Sequence, residues 1–410
     1  TYCMEQVLAA PLSQTSIPLK RLSYRIESID LLRGFVMIIM ALDHVRDFFH
    51  VTGFSDDPLN MATTTPALFL TRWITHYCAP VFVFLAGTSG WFQHMRKSKK
   101  ELSRFLITRG LWLVLVEIFI VNLAFTFDPT YLITGLQTIW AIGISMIFLG
   151  LAIWLPFPVI LSLGLLIVLG HNSLDFYEAR HKPPFSIGYS ILHYPGFFPL
   201  WGNHSLFVLY PFLPWTGLMM LGYCFGKLFT SYDGYQRKKL LTFLGVGIIL
   251  LFIALRTINI YGNPEPWTVQ KNQLFTFLSF IDTHKYPPSL LYMCMTIGPA
   301  ILFVAWAGNL KNSLTSFITV YGKVPFFYYV LHFFLIHFLS ALFFFARGHS
   351  FAEGMTGISK GFPNFIIPGE GYSLWVVYAV WMFVVLSLYP VCKWFSNYKQ
   401  THRQWWLSYL

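Results

Sequence analysis

Ten stretches, most of them about 20 residues long and dominated by Leu, Ile, Val, Phe and small side chains, divide this chain. No other feature limits its fold so strongly. A helix needs about 20 apolar residues to cross the ~30 Å hydrocarbon core of a bilayer, and inside that core every backbone amide must be satisfied by the chain itself. The windows lie near 31–50, 67–92, 103–126, 136–155, 157–170, 205–228, 240–260, 289–308, 324–346 and 373–392. They predict an all-α, polytopic membrane protein with about ten transmembrane helices in a single bundle. Only Pro156 and Pro158 separate the fourth window from the fifth, which is short. Composition agrees: 56% of residues are hydrophobic and 11% charged, against about a quarter charged in soluble domains. Disorder, collagen, coiled coil and a disulfide-stapled scaffold are excluded on the same ground.

The basic residues orient the chain, because cytoplasmic loops hold most Lys and Arg. With the N-terminus inside, 19 of the 28 Lys and Arg fall on the cytoplasmic side, from Lys20, Arg21, Arg25 and Arg33 through the run Arg96–Arg109 to Lys393, Lys399 and Arg403. Both termini are then cytoplasmic, and ten crossings satisfy the parity. The expected organisation is a cytoplasmic tail at 1–30, a transmembrane domain at 31–396 and a cytoplasmic tail at 397–410. The first 30 residues lack the short apolar core and cleavage site of a signal peptide. A net charge of +11 has no separate basic domain to carry it, so nucleic acid is not an expected partner. Cys3, Cys78, Cys224, Cys294 and Cys392 have no metal-ligand or Cys-x-x-Cys spacing and read as packing residues. No metal site is expected.

Three long Pro- and Gly-rich segments, 171–204, 261–288 and 347–372, face outward in this topology, and long ordered loops cover or build sites. No internal repeat supports an inverted-repeat transporter, and no Rossmann or P-loop fingerprint is present.

The ionisable residues within the apolar windows carry the functional argument, since each costs several kcal/mol in a membrane and tends to be retained for work. The first window, LLRGFVMIIMALDHVRDFFH, places Asp43, Arg46, Asp47 and His50 at helical spacing on one face, with His44 beside it. A carboxylate next to an imidazole is suited to acid–base chemistry, although an Asp–Arg pair can also simply satisfy itself at a helix end. At about 1.5 Å per residue from Arg33, Asp43 lies ~15 Å deep and His50 near the outer surface. The second window adds Arg72 and His76, one turn apart at its outer end, before a kink at Pro80; the ninth adds Tyr328, His332 and His337. Glu117 lies in the third. In the outer segment before the eighth window, Lys285, Tyr286, Pro287 and Pro288 lead to Ser289, a helix cap.

The run RIESIDLLRGFVMIIMALDH, followed by APVFVFLAG, PWTGLMMLGYCFG, KYPPSLLYMCMTIGP and YGKVPFFYYVLHFFLIH, resembles a bacterial family of membrane proteins related to heparan-alpha-glucosaminide N-acetyltransferase. That family belongs to the transmembrane acyltransferase superfamily. The resemblance covers roughly 21 to 396. It implies a multi-pass enzyme of the bacterial cytoplasmic (inner) membrane that moves an acetyl group from acetyl-CoA, a co-substrate, to an acceptor across the bilayer, such as an amino sugar or glycan. Relatives pair an asparagine in the first span with a histidine shortly beyond it. Asp43 stands at the asparagine's position, His50 lies closer than the family spacing, and His44 remains open as the working imidazole.

Two functions are therefore carried forward. In an acyltransferase, His50 or His44 is base or transient acyl carrier and Asp43 orients it. Arg46, Asp47, Arg72, His76, Tyr328, His332, Lys285 and Tyr286 bind substrate, and Lys97, Lys100, Arg104 and Lys323 at the cytoplasmic mouth hold the phosphates of the acyl-CoA donor. In a transporter or exporter of a small or lipid-linked substrate, the same Asp/His/Arg cluster is a proton relay or a counter-ion set. The acceptor is not legible, and a homodimer is left open.

Overall fold

The computed structural model describes residues 26–402 and 404–408. The 1–25 part of the expected N-terminal tail, with Cys3, Lys20, Arg21 and Arg25, lies outside the described residues, as does Arg403. The chain is mostly helical. Its main helices are α1 (Glu27–Phe49), α2 (Pro66–His94), α3 (Lys99–Thr126), α4 (Thr138–Ala152), α5 (Phe157–Gly170) and α6 (Ser173–His181). After them come α7 (Phe212–Gly226), α8 (Gly234–Ile258), α9 (Gln273–Ile281), α10 (Leu290–Trp306), α11 (Ser313–Lys323), α12 (Pro325–Ala346) and α13 (Leu374–Thr401).

Helices occupy all ten apolar windows. By length and composition, five of them (α2, α3, α8, α12 and α13) suffice to cross a membrane, and α5 with α6, bent by 41°, would make a sixth. These mark a membrane protein. The difference from the expected ten has identifiable sources: α4 and α10 are short apolar helices, α7 has 15 residues, and α1 carries Asp30, Arg33, Asp43, Arg46 and Asp47. The structure also departs from a purely helical fold. A small sheet in the order β1-β3-β2 joins β1 (Ile133–Leu136) in parallel, and β2 (Gly196–Pro199) antiparallel, to β3 (Ser205–Val208).

Local signals set the helix ends. The Thr65 side chain accepts from Leu68 N with Pro66 at the first helical position; Ser98 and Glu101 form a capping box; and the Ser289 hydroxyl accepts from Tyr292 N, as the sequence predicts. Proline at position 80 removes the amide that would bond the carbonyl four residues earlier. That carbonyl, of His76, instead accepts from the Tyr292 hydroxyl at 2.8 Å, and a 3₁₀ turn at Thr75–Tyr77 interrupts α2 there.

Helix α1 is the hub, packed against α2, α10, α11, α12 and α13. Backbones meet where glycine permits, the membrane pattern of small residues at helix contacts. A Cβ on Gly322 of α11 would lie 1.9 Å from the Asp30 carbonyl oxygen, and one on Gly34 would lie 2.0 Å from that of Ile318. The same device brings α2 onto α7 at Gly87 and Gly222. By contrast α8 is exposed along most of its apolar length, as a lipid-facing helix should be. The four described cysteines are free and buried.

Candidate active site

Two chambers flank α1. The first, about 270 Å³, takes Arg33 and Met37 from the start of α1, Phe105 and Arg109 from α3, Ile142 and Met146 from α4, and Lys323 and Lys399 from α11 and α13. The second, about 560 Å³, takes Asp43, His44, Arg46 and Asp47 from the end of α1. It is roofed by the three long Pro- and Gly-rich segments and their ends: Lys285 and Tyr286 from the second, Ile358 and Gly361 to Pro363 from the third, and Phe207, Leu209 and Tyr210 just after the first. Thr138 and Tyr329 line both chambers. They will be called the Arg33 chamber and the Asp43 chamber.

The fold gathers Asp43, Arg46, Asp47, Arg72, Lys285 and Tyr286 onto the wall of one cavity. Arg72 Nη1 reaches both Asp43 oxygens, at 2.6 and 2.5 Å. Arg46 Nη2 bridges Asp43 at 2.9 Å and Asp47 at 2.5 Å, and Lys285 Nζ stands 3.7 Å from Asp43. Asp43, Arg46 and Lys285 are nearly fully buried. A buried charge is tolerable only when paired and hydrogen-bonded, and here three cations hold one carboxylate. Among the described residues no hydrogen bond joins Asp43 to His44; the Asp43 carboxylate is held by the cations and does not orient the imidazole. Lys285 also lies 5.2 Å from the Tyr286 ring centroid. Burial raises the Tyr286 phenol, but Lys285 and Arg72 outweigh it and leave the group below its ordinary value.

His44 lines the Asp43 chamber, and its buried Nδ1 has no hydrogen-bond partner among the described residues. Its ring packs 4.1 Å from Phe333 and 5.3 Å from His332, centroid to centroid. His332 bonds the Tyr328 carbonyl through Nδ1 at 3.1 Å, while among the described residues its Nε2 and the Tyr328 hydroxyl have no hydrogen-bond partner. His50 is elsewhere. The helix ends at Phe49, His50 is extended (ψ 144°), its ring bonds Thr52 Oγ1 at 2.9 Å, and it lines neither chamber. The helical spacing that groups it with Asp43 in the sequence stops one residue too soon. His76 is fully buried one turn after Arg72, and neither ring nitrogen has a hydrogen-bond partner among the described residues. His337 is structural, bridging the carbonyls of Ala124 (3.0 Å) and Asn364 (2.8 Å).

Of the four residues expected to hold donor phosphates, Lys323 lines the Arg33 chamber. Lys100 and Arg104 are exposed and line neither, and Lys97 lies against Phe105, its Nζ 5.4 Å from the ring centroid. Arg33, Arg109 and Lys399 are the chamber's other cations. All three stand among the residues that sequence reading assigns to the cytoplasmic face, so charge placement was the available signal for them. Thr138 and Tyr329 carried no such signal. Glu117 is buried at a π-helical turn and accepts from Trp140 N at 3.0 Å, at the start of α4. Among the described residues one group, Asp175, Glu178 and His193, has metal-ligand spacing; it lines neither chamber, and His193 Nδ1 bonds Glu178 at 2.6 Å.

The arrangement offers a buried ion cluster, an imidazole with a free nitrogen, and a second chamber with cations, all arrayed along one helix. No curated protein matches the chain. A family model described as heparan-alpha-glucosaminide N-acetyltransferase, catalytic, matches residues 25–263, a span that holds α1, α2 and most of the walls of both chambers. The match covers more than half of the 410 residues, and the chain therefore belongs to the heparan-alpha-glucosaminide N-acetyltransferase catalytic family.

Proposed function

We propose that this protein transfers an acetyl group from cytoplasmic acetyl-CoA to an amino-sugar or glycan acceptor on the other side of the membrane. The observation that carries the reading is the pair of chambers that share Thr138 and Tyr329. A donor with a polyanionic head and a long arm suits the Arg33 chamber, where Arg33, Arg109, Lys323 and Lys399 meet its phosphates and the apolar walls take the arm. Its thioester then reaches the shared Thr138–Tyr329 boundary, and the acceptor occupies the Asp43 chamber. The acceptor amine attacks the thioester carbonyl carbon. A C–N bond forms, the C–S bond breaks, and the sulfur leaves with the electron pair. His44, with its unpartnered nitrogen, takes the proton from the amine and returns it to the departing thiolate. The cations around Asp43 offset the negative charge on the carbonyl oxygen as it develops.

The same reading takes the ten helical windows as ten crossings of a bacterial cytoplasmic membrane, with both termini and the Arg33 chamber on the cytoplasmic side. Calorimetry with acetyl-CoA and mass detection of N-acetylated glucosamine, on detergent-purified protein, test it. Acetyl-CoA binding with acetylated product is the expected result; wild-type protein that neither binds acetyl-CoA nor acetylates would overturn the enzyme and favour a transporter.

A further inference from the structure

Acetylation of an amino sugar releases one proton more than His44 handles. An α-amino group has a pKa of about 7.7–8.0, and an amine among sugar hydroxyls is of the same order, so the acceptor enters largely as an ammonium. Its nitrogen gives up two protons, one before it attacks and one after. His44 takes the second and returns it to the thiolate. The first is the surplus proton of the reaction, and a group in the Asp43 chamber must receive it.

The chamber narrows the choice. Asp43 and Asp47 are held by Arg72, Arg46 and Lys285, and a carboxylate is in any case about 10⁴-fold too weak a base for an ammonium, which sets aside Asp56 and Asp57 on the same wall. Tyr286 is different. It stands in the wall that the chamber shares with a further cavity of about 410 Å³. Facing its phenol are Lys285, Arg72 and Asp43, and the hydroxyls of Tyr210, Tyr292 and Tyr329. Against the burial that raises it, Lys285 and then Arg72 leave the phenol below its ordinary value, as suits a base that works near neutral pH. The Tyr210 ring packs edge-on at 5.2 Å between centroids, and its hydroxyl is hydrogen-bonded to that of Tyr286 and to Thr138. A chain of hydroxyls thus joins the Thr138–Tyr329 boundary to Tyr286. On the far side of the wall Asp282 lines the further cavity, and burial pushes its carboxyl up to about 7, where it takes up and releases protons.

We infer that Tyr286 is a second base of the reaction, which takes the surplus proton from the acceptor's ammonium and passes it through this wall to the cavity beyond. The inference rests on the acetyltransfer reading and deepens it. An O–H bond forms on the phenolate as the N–H bond breaks, and the electron pair stays on nitrogen. The free amine then attacks the thioester, and Tyr286 returns to phenolate by giving its proton to water and Asp282 in the cavity.

The test is the pH profile of kcat/KM, with glucosamine and acetyl-CoA, for wild type, Tyr286→Phe, Tyr210→Phe and His44→Ala. Near pH 6.5, Tyr286→Phe should be slower than wild type by about 10²-fold, the scale of a positioned base. The gap should close to a few-fold by about pH 9, where the acceptor enters as free amine and its first proton needs no base. Tyr210→Phe, which removes one hydrogen bond from the phenol, should show the same closing gap from about tenfold, and it keeps the test valid if Tyr286→Phe does not fold. His44→Ala should keep its deficit at both pH values, because His44 handles the other proton. A deficit in the tyrosine variants that is equal at both pH values, or no deficit, overturns the inference while acetyltransfer stands. Wild type that makes no product at either pH overturns the functional reading, and this inference with it.

Discussion

The two ends of α1 line two chambers of opposite character. Around Arg33 the walls are largely apolar, and four cations stand among them. Arg33 itself pairs with Asp30 at 3.1 Å and bonds the Ser89 hydroxyl. Around Asp43 the charges are locked to one another, three cations on one carboxylate, and polar loops close the space. In the proposed reaction the first end receives a flexible, multiply charged donor on cations that come from four different helices, and the other serves as a preorganised polar site that meets the developing charge.

The largest expected effect separates the ends by stability. Asp43→Ala strands Arg72 and Lys285, leaves Arg46 with Asp47 alone, and should cost about 3–5 kcal/mol, the scale for breaking a buried pair. Asp30→Ala leaves Arg33 with the Gly322 carbonyl and the Ser89 hydroxyl and should cost less, about 1–3 kcal/mol. Denaturant unfolding in detergent reads both, and equal costs would break the contrast.

Chemistry comes next. His44→Ala should lower acetyl transfer by about 10²-fold or more, the usual scale for a positioned base, equal to about 2.7 kcal/mol of barrier. His50→Ala should change it by no more than a few-fold, since His50 lines neither chamber. A reversed order would move the working imidazole to the loop after α1.

Smaller again is donor affinity. Lys323→Ala should weaken acetyl-CoA binding by roughly ten-fold, one charge-assisted contact, while Lys100→Ala, at an exposed position outside the chamber, should not change it. Calorimetric titration distinguishes them.

The smallest effect is on pH. Burial pushes Asp282 from about 3.8 to about 7, so the folded state holds this proton more tightly than the unfolded one. Its contribution to stability is full below about 3.8 and is lost as pH rises through about 7. Wild type should therefore melt lower at pH 8 than at pH 5, and Asp282→Asn should flatten that difference; an unchanged slope in the variant would remove Asp282 as its source.

Much of this organisation was legible before the structure, for physical reasons that also set its limits. Apolar windows located the helices because a bilayer demands about 20 such residues, and Pro156 ends the turn between α4 and α5 as read. The sheet was hidden: its strands are four residues each, and β1 pairs in parallel with a strand some 70 residues later. Asp43, Arg72 and Lys285 were individually visible as charges in or beside apolar windows, but their contact depends on tertiary packing that no spacing encodes. His50 was grouped by a helical period that the chain abandons after Phe49. Charge alone marks Lys100 and Arg104 in the sequence, and which face of α3 turns inward decides in favour of Arg109.

The central claim is that one chain joins a donor chamber to an acceptor chamber across the membrane. Its most direct test reconstitutes the protein in sealed vesicles with acetyl-CoA on one side only and glucosamine on the other, then assays both compartments. The account predicts acetylated sugar with the acceptor and free CoA with the donor. Product that forms only when both substrates share a compartment, or no product at all, would contradict it.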